Sequence, residues 1–128
     1  MCIRDSFKTI NDRYGHETGD VALRTIVGMV RAALGEGDLI GWLGGEEFGI
    51  YLPDATASGA LVLAETVRSH IAQTPAYTVD DRACSVTVSM GLASETAPAE
   101  PLKDILHRAD MAMYRAKHQG RNRIAAAA

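Results

Sequence analysis

Only two cysteines occur in the 128 residues, Cys2 and Cys84, and they have no metal-ligand spacing. That speaks against a disulfide framework, and a reducing compartment is the simple expectation. There is no basic excess: 13 Lys and Arg stand against 16 Asp and Glu, a net charge of −3. A nucleic-acid partner is therefore not expected. No apolar run is long enough to span a bilayer, and no signal-peptide pattern opens the chain. The four histidines, His16, His70, His107 and His118, are scattered, so a histidine metal cluster is not expected. No Ser/His/Asp spacing is present. "GGEEFG" is not a Walker loop, since no Gly-Lys-Ser/Thr follows it. Repeats, heptads and domain linkers are also missing. What remains is an ordinary globular balance, 47% apolar and 23% charged, that suits a single domain.

Helix and strand patterns alternate along it. Residues 7–14 read as a short helical turn ending at Gly15. A longer helix is predicted from near Asp20, with Ala22, Leu23, Ile26, Val30, Ala33 and Leu34 at helical spacing and Gly35 and Gly37 at its end. Residues 38–43 and 47–52 read as a hairpin. Residues 57–73 form the next helix, with Ala60, Leu61, Ala64, Val67 and Ile71 on one face. Residues 75–82 read as a loop or short edge strand. Residues 83–93 alternate as one half-buried antiparallel strand, with Val86, Val88 and Met90 inward and Ser85, Thr87 and Ser89 outward. A helix over 102–118 follows, its inner face Leu102, Ile105, Leu106, Ala109, Met113 and Ala116. Gly120 stops it, and a short strand is expected near residues 122–125. The class is α+β, with helices on the faces of a mainly antiparallel sheet.

Three clusters could carry chemistry. In "LGGEEF", Gly44 and Gly45 permit positive φ and leave room beside the main chain. Glu46 and Glu47 are adjacent, and like charges this close disfavour joint ionisation unless a cation lies between them. A hard divalent ion with phosphate oxygens would satisfy them; a solvated acidic turn would also read this way. In "FKTINDRYGHETGD", Asn11 and Asp20 offer an amide and a carboxylate able to complement the edge of guanine. Helix capping accounts for the same two residues. In "ADMAMYRAKHQGRNR", Lys117 and Arg121 are spaced to grip a polyphosphate, or simply to sit at a helix C-terminus.

Taken together, "FKTINDRYGHETGD", "LGGEEF", "LP", "TVSMGLA" and "ADMAMYRAKHQGRNR" resemble, in order and spacing, the GGDEF domain of diguanylate cyclases over residues 7–125. The resemblance implies a nucleotidyl-cyclase-like fold, a five-stranded sheet surrounded by helices. It implies condensation of two GTP into cyclic di-GMP with release of two pyrophosphates, in bacterial second-messenger signalling. Two subunits would meet antiparallel, each holding one GTP, with two Mg²⁺ or Mn²⁺ ions per site. By position, Asn11 and Asp20 match the guanine-reading residues, and Phe7 and Lys8 the phosphate loop. Gly44 and Gly45 match the turn against the nucleotide. Glu46 matches the catalytic and metal-linked acid, Glu47 a second metal-linked acid, and Lys117 and Arg121 the phosphate contacts. A cytoplasmic domain is implied, in a parent with an upstream sensor and possible membrane anchor.

The chain also departs from the family pattern. The family's "D-x-D-x-F-K" places a metal-ligand aspartate where this chain has Ile3, with Asp5 on the second aspartate. "MCIRDS" is one reading of ATG-TGT-ATA-AGA-GAC-AGY, which resembles a transposon end used in library preparation. Residues 1–6 are accordingly expected to be adapter-derived, the family domain to begin at Phe7, and the first strand to be missing. Weak or absent activity follows for this chain; the alternative is a degenerate module that binds GTP without turnover. The family's inhibitory product site, "R-x-x-D", reads here Gly35 to Asp38, so it is expected to be lost. Trp42 stands where arginine is frequent.

Overall fold

A computed structural model describes residues 2–5, 16–44, 47–79 and 82–127; within 2–5, 16–20, 75–79 and 82–85 it describes backbone path and pairing only. The elements are β1 (Cys2–Asp5), α1 (His16–Ala33), β2 (Leu39–Gly44), β3 (Glu47–Tyr51), α2 (Ala57–Gln73), β4 (Pro75–Val79), β5 (Arg82–Ser85), β6 (Val88–Leu92), α3 (Leu102–His118) and β7 (Ile124–Ala126). Five strands make one sheet in the order β2-β3-β1-β6-β7, and β4 and β5 make a separate hairpin. Every pair is antiparallel except β6 with β7. The class is α+β, as expected.

The truncated sheet expected from the sequence is not what forms. Cys2–Asp5 occupies the central position, with Ile3 opposite Phe48 on one side and Met90 on the other. The physical reason is that ladder bonds use backbone N–H and C=O groups, which every residue here supplies. Four residues suffice to bridge β3 and β6, so neither is left with an open inner edge.

Each helix contributes one apolar stripe. In α1 the stripe is Ala22, Ile26 and Val30; in α2 it is Ala64, Val67 and Ile71. Both pack with Phe48, Ile50, Val88 and Met90 into the main core on one face of the sheet. On the other face α3 packs its Leu106, Ala109 and Met113 with Ala93. The α2 start is capped by Thr56, whose hydroxyl accepts from the Gly59 N–H at 3.0 Å.

The α2 and α3 bounds are those expected; α1 is not. It begins at His16, which puts Asp20 inside the helix and rules it out as the N-cap. Gly19 within a helix costs only about 1 kcal/mol, which the packing of the α1 stripe offsets. The expected strand 83–93 is divided between two sheets, β5 ending at Ser85 and β6 starting at Val88. Residues 75–79, expected as a loop or edge strand, pair with β5. β6 is buried along its whole length, Ser89 included at 3% exposure, because it is an inner strand with helices on both faces. Leu102, expected inward, is 51% exposed in the first turn of α3.

The connection from β6 to α3 is fastened by one ion pair. Arg108 Nε and Nη2 donate to Glu100 Oε1 at 3.1 and 2.9 Å, and Nη2 also reaches Oε2 at 2.8 Å. The Thr96 N–H donates to Glu100 Oε2 at 2.9 Å. That backbone bond, opposed by desolvation and reinforced by Arg108, holds the Glu100 carboxyl below its ordinary value of 4.5. Its contribution to stability is present above 4.5 and is lost as pH falls through the lower folded-state value. Glu100→Gln is expected to lower the thermal midpoint at neutral pH. The gap to wild type should close as the solution is acidified; melts over a pH series check this, and a constant gap contradicts it.

Candidate active site at the glycine–glutamate turn

The turn between β2 and β3 is irregular in the way its glycines allow. Trp42 faces Phe48 in register, but Gly44 faces Glu47, so a bulge lies between Trp42 and Gly44. Gly44 has φ +126°, a conformation strained for any side chain. Gly45 and Glu46 lie outside the described residues. Glu47 is half-buried, and Arg4 of β1 stands opposite it on its other side.

Strand direction gathers further residues at this end of the sheet. β1 runs toward its end at Asp5, opposite Val88 at the start of β6. β7 is parallel to β6 and begins with Ile124 opposite Met90. Residues 121–123 therefore approach the end of the sheet where β1 stops, β3 starts and β2 ends. The Met90 N–H donates to Arg123 O at 3.0 Å and fixes that approach. Arg121 is not on α3, which ends at His118. It lies in a turn in which Gly120, Arg121 and Asn122 all have positive φ, 122°, 63° and 44°. Lys117 is half-buried in the last turn of α3. The structure thus places Gly44, Glu47, the β1 end and the Arg121 turn at the same end of the sheet, spread across its width from β2 to β7.

Phe7, Lys8 and Asn11 lie outside the described residues, and of Asp20 only the helical backbone is described. Among the described residues, no group of three or more His, Cys, Asp or Glu side chains could hold a metal ion. Position 3 holds isoleucine, whose aliphatic side chain offers no donor to a metal ion. Where the family pattern has the inhibitory site expected to be lost here, Asp38 Oδ2 accepts from the Gly35 N–H at 2.8 Å. That carboxylate closes a turn, and residue 35 has no guanidinium to accompany it. Trp42 is 53% exposed on the edge strand. One feature had no sequence signal: Arg68 in α2 donates to Asn122 Oδ1 at 2.7 Å, a bond spanning 54 positions.

The model of the family described as diguanylate cyclase, GGDEF domain, matches residues 1–123. The chain belongs to the GGDEF family. This GGDEF domain is 37% identical over 120 residues to diguanylate cyclase A of Treponema denticola, covering 94% of this chain and 32% of that protein. It is 41% identical over 118 residues to the diguanylate cyclase TpbB of Pseudomonas aeruginosa, covering 91% and 27%. It therefore spans less than a third of the length of either relative. Among solved structures, the active GGEEF domain of a diguanylate cyclase from Vibrio cholerae superposes with TM-score 0.89 at 31% identity, covering 99% of this chain and 80% of that one. The GGDEF domain of DgcB from Caulobacter crescentus, solved with c-di-GMP, gives 0.88 at 30%, covering 98% and 75%. No helix among the described residues is long and apolar enough to cross a membrane.

Proposed function

We propose that this GGDEF domain belongs to a protein that condenses two GTP into cyclic di-GMP and two pyrophosphates. The observation that carries the reading is that the Trp42–Gly44 bulge, the start of β3, the end of β1 and the Arg121 turn all lie at the same end of the sheet. Gly44 and Gly45 leave space for the nucleotide to lie against the backbone. Asn11 and Asp20 read guanine, and Lys8 with the Phe7 backbone cradles phosphates. Lys117 and Arg121 hold the terminal phosphates, and Glu46 takes the proton of the attacking 3′-hydroxyl. Each domain holds one GTP, so two copies must face each other for both bonds to form. An upstream sensor domain and a cytoplasmic site of action complete the proposal.

Mg²⁺ or Mn²⁺ would offset the charge of the triphosphate and of the paired glutamates. Glu46 and Glu47 could hold such an ion, but Ile3 adds no donor. This favours, for these 128 residues, the second reading: GTP binding without turnover. Calorimetry with GTP, followed by chromatography for cyclic di-GMP, tests both. The expected result is binding with product at or near background. Steady conversion by the chain as it stands contradicts the inactivity, and absence of GTP binding contradicts the site.

A further inference from the structure

The turn after α3 is held by a side chain from a different helix. Its three residues of positive φ include an arginine and an asparagine as well as Gly120. Asparagine tolerates this conformation, but arginine adopts it at a cost. Such a run persists only where surrounding contacts determine it. The Arg121 N–H donates to Ala116 O at 3.0 Å, which ties the turn to α3. Arg68 Nη1 donates to Asn122 Oδ1 at 2.7 Å and lies 3.4 Å from its carbonyl oxygen. The other edge of the same guanidinium meets both carboxylate oxygens of Glu65. The Arg68 side chain is 17% exposed, so it is packed in place between its two partners.

We propose that Arg68, oriented by Glu65, is a positioning residue for the phosphate-binding turn. By fixing Asn122 it holds the backbone of Arg121 in the conformation that directs that cation to a nucleotide triphosphate. The proposal rests on the reading of Arg121 as a phosphate contact. Arg68 itself touches no phosphate and acts through Asn122. Its planar fork meets Glu65 and Asn122 at once, which the single ammonium of lysine does not reproduce.

The test uses the full chain, a fluorescent GTP analogue, and two competitors, inorganic tripolyphosphate and guanosine. In Arg68→Ala, the tripolyphosphate needed for half displacement should rise about tenfold, the effect of a cation misplaced but still present, while that of guanosine stays within about twofold. Arg68→Lys should recover only part of the loss. Hydrogen exchange without nucleotide gives a second readout: the Arg121 amide should exchange faster in Arg68→Ala while Met113 stays protected. Unchanged tripolyphosphate competition, or unchanged Arg121 exchange, overturns the proposal. Equal loss for both competitors, with protection lost throughout, shows a general stabilising role and overturns it too. A wild-type chain that does not bind the analogue overturns the reading of the site, and this proposal with it. Normal wild-type binding with an indifferent variant overturns the proposal alone.

Discussion

Ile3→Asp is expected to raise cyclic di-GMP formation by about 100-fold or more over the unaltered chain. Loss of a group that merely supports a metal ligand costs ten- to a hundredfold, so a missing direct ligand should reach at least the upper end. The strand that must present the carboxylate is already in place, since residue 3 is paired with Phe48 on one side and Met90 on the other. Glu47 precedes Phe48 in β3, so position 3 lies one register step from that acid. The new carboxylate is paired with two buried residues, Phe48 and Met90, and adds a negative charge one register step from Glu47. Without a divalent ion, the variant should therefore melt at a lower temperature than the parent chain. Added Mg²⁺ should restore the midpoint by preferential binding to the folded state. Ile3→Asn, of similar shape to the aspartate without its charge, should show neither the gain in product nor the recovery with Mg²⁺. A folded Ile3→Asp chain that binds GTP and still makes no product would sink the assignment of position 3.

Gly91→Ala is expected to lower stability by at least about 3 kcal/mol, the upper end for overpacking. In β6 a Cβ added at Gly91 would lie 1.9 Å from the Ala109 carbonyl oxygen and 2.4 Å from the Met113 nitrogen. Both are backbone atoms of α3 and cannot swing aside as a side-chain tip could. Relief requires α3 to lift from the sheet and separate Leu106, Ala109 and Met113 from Ala93 and β6. For a domain of this size the thermal midpoint should fall by roughly 10 °C or more. The matched comparison is Gly41→Ala on edge strand β2, where an added Cβ meets nothing within 4 Å. Urea midpoints for both, with unchanged m, provide the measurement. Equal stability of the two variants would refute the close helix–strand contact.

The helices were legible wherever a local stripe coincided with a local stop. α2 has Thr56 at its start, and α3 has Gly120 just beyond its end, so their bounds follow from nearby residues. α1 misleads because Asp20 is a plausible cap and Gly19 a plausible break, while long-range burial of Ala22, Ile26 and Val30 carries the helix through both. The run from Ala83 onward alternates without interruption, and nothing local marks Val86 and Thr87 as a passage from one sheet to another. That division depends on which strands lie alongside. Cys2–Asp5 carries no strand signal and is recruited by the open edges of β3 and β6. At the β2–β3 turn, Gly44 was readable because a positive φ calls for glycine. The Arg68–Asn122 bond was not, because helix periodicity has no information about a partner 54 positions away.

The central place of β1 also bears on how the domain assembles. Ile3 is synthesised before both of its partners, Phe48 and Met90, which lie 45 and 87 positions further along the chain. The β2–β3 hairpin can close as soon as its own residues are available. β1 can join that hairpin on one edge, but its other edge has no partner until β6 has been made. High sequence separation of this kind slows folding and prolongs the life of partly formed sheets. For much of synthesis the innermost strand of the finished sheet is an outer one, open to pairing with other chains, and the arrival of β6 turns that edge into an interior ladder.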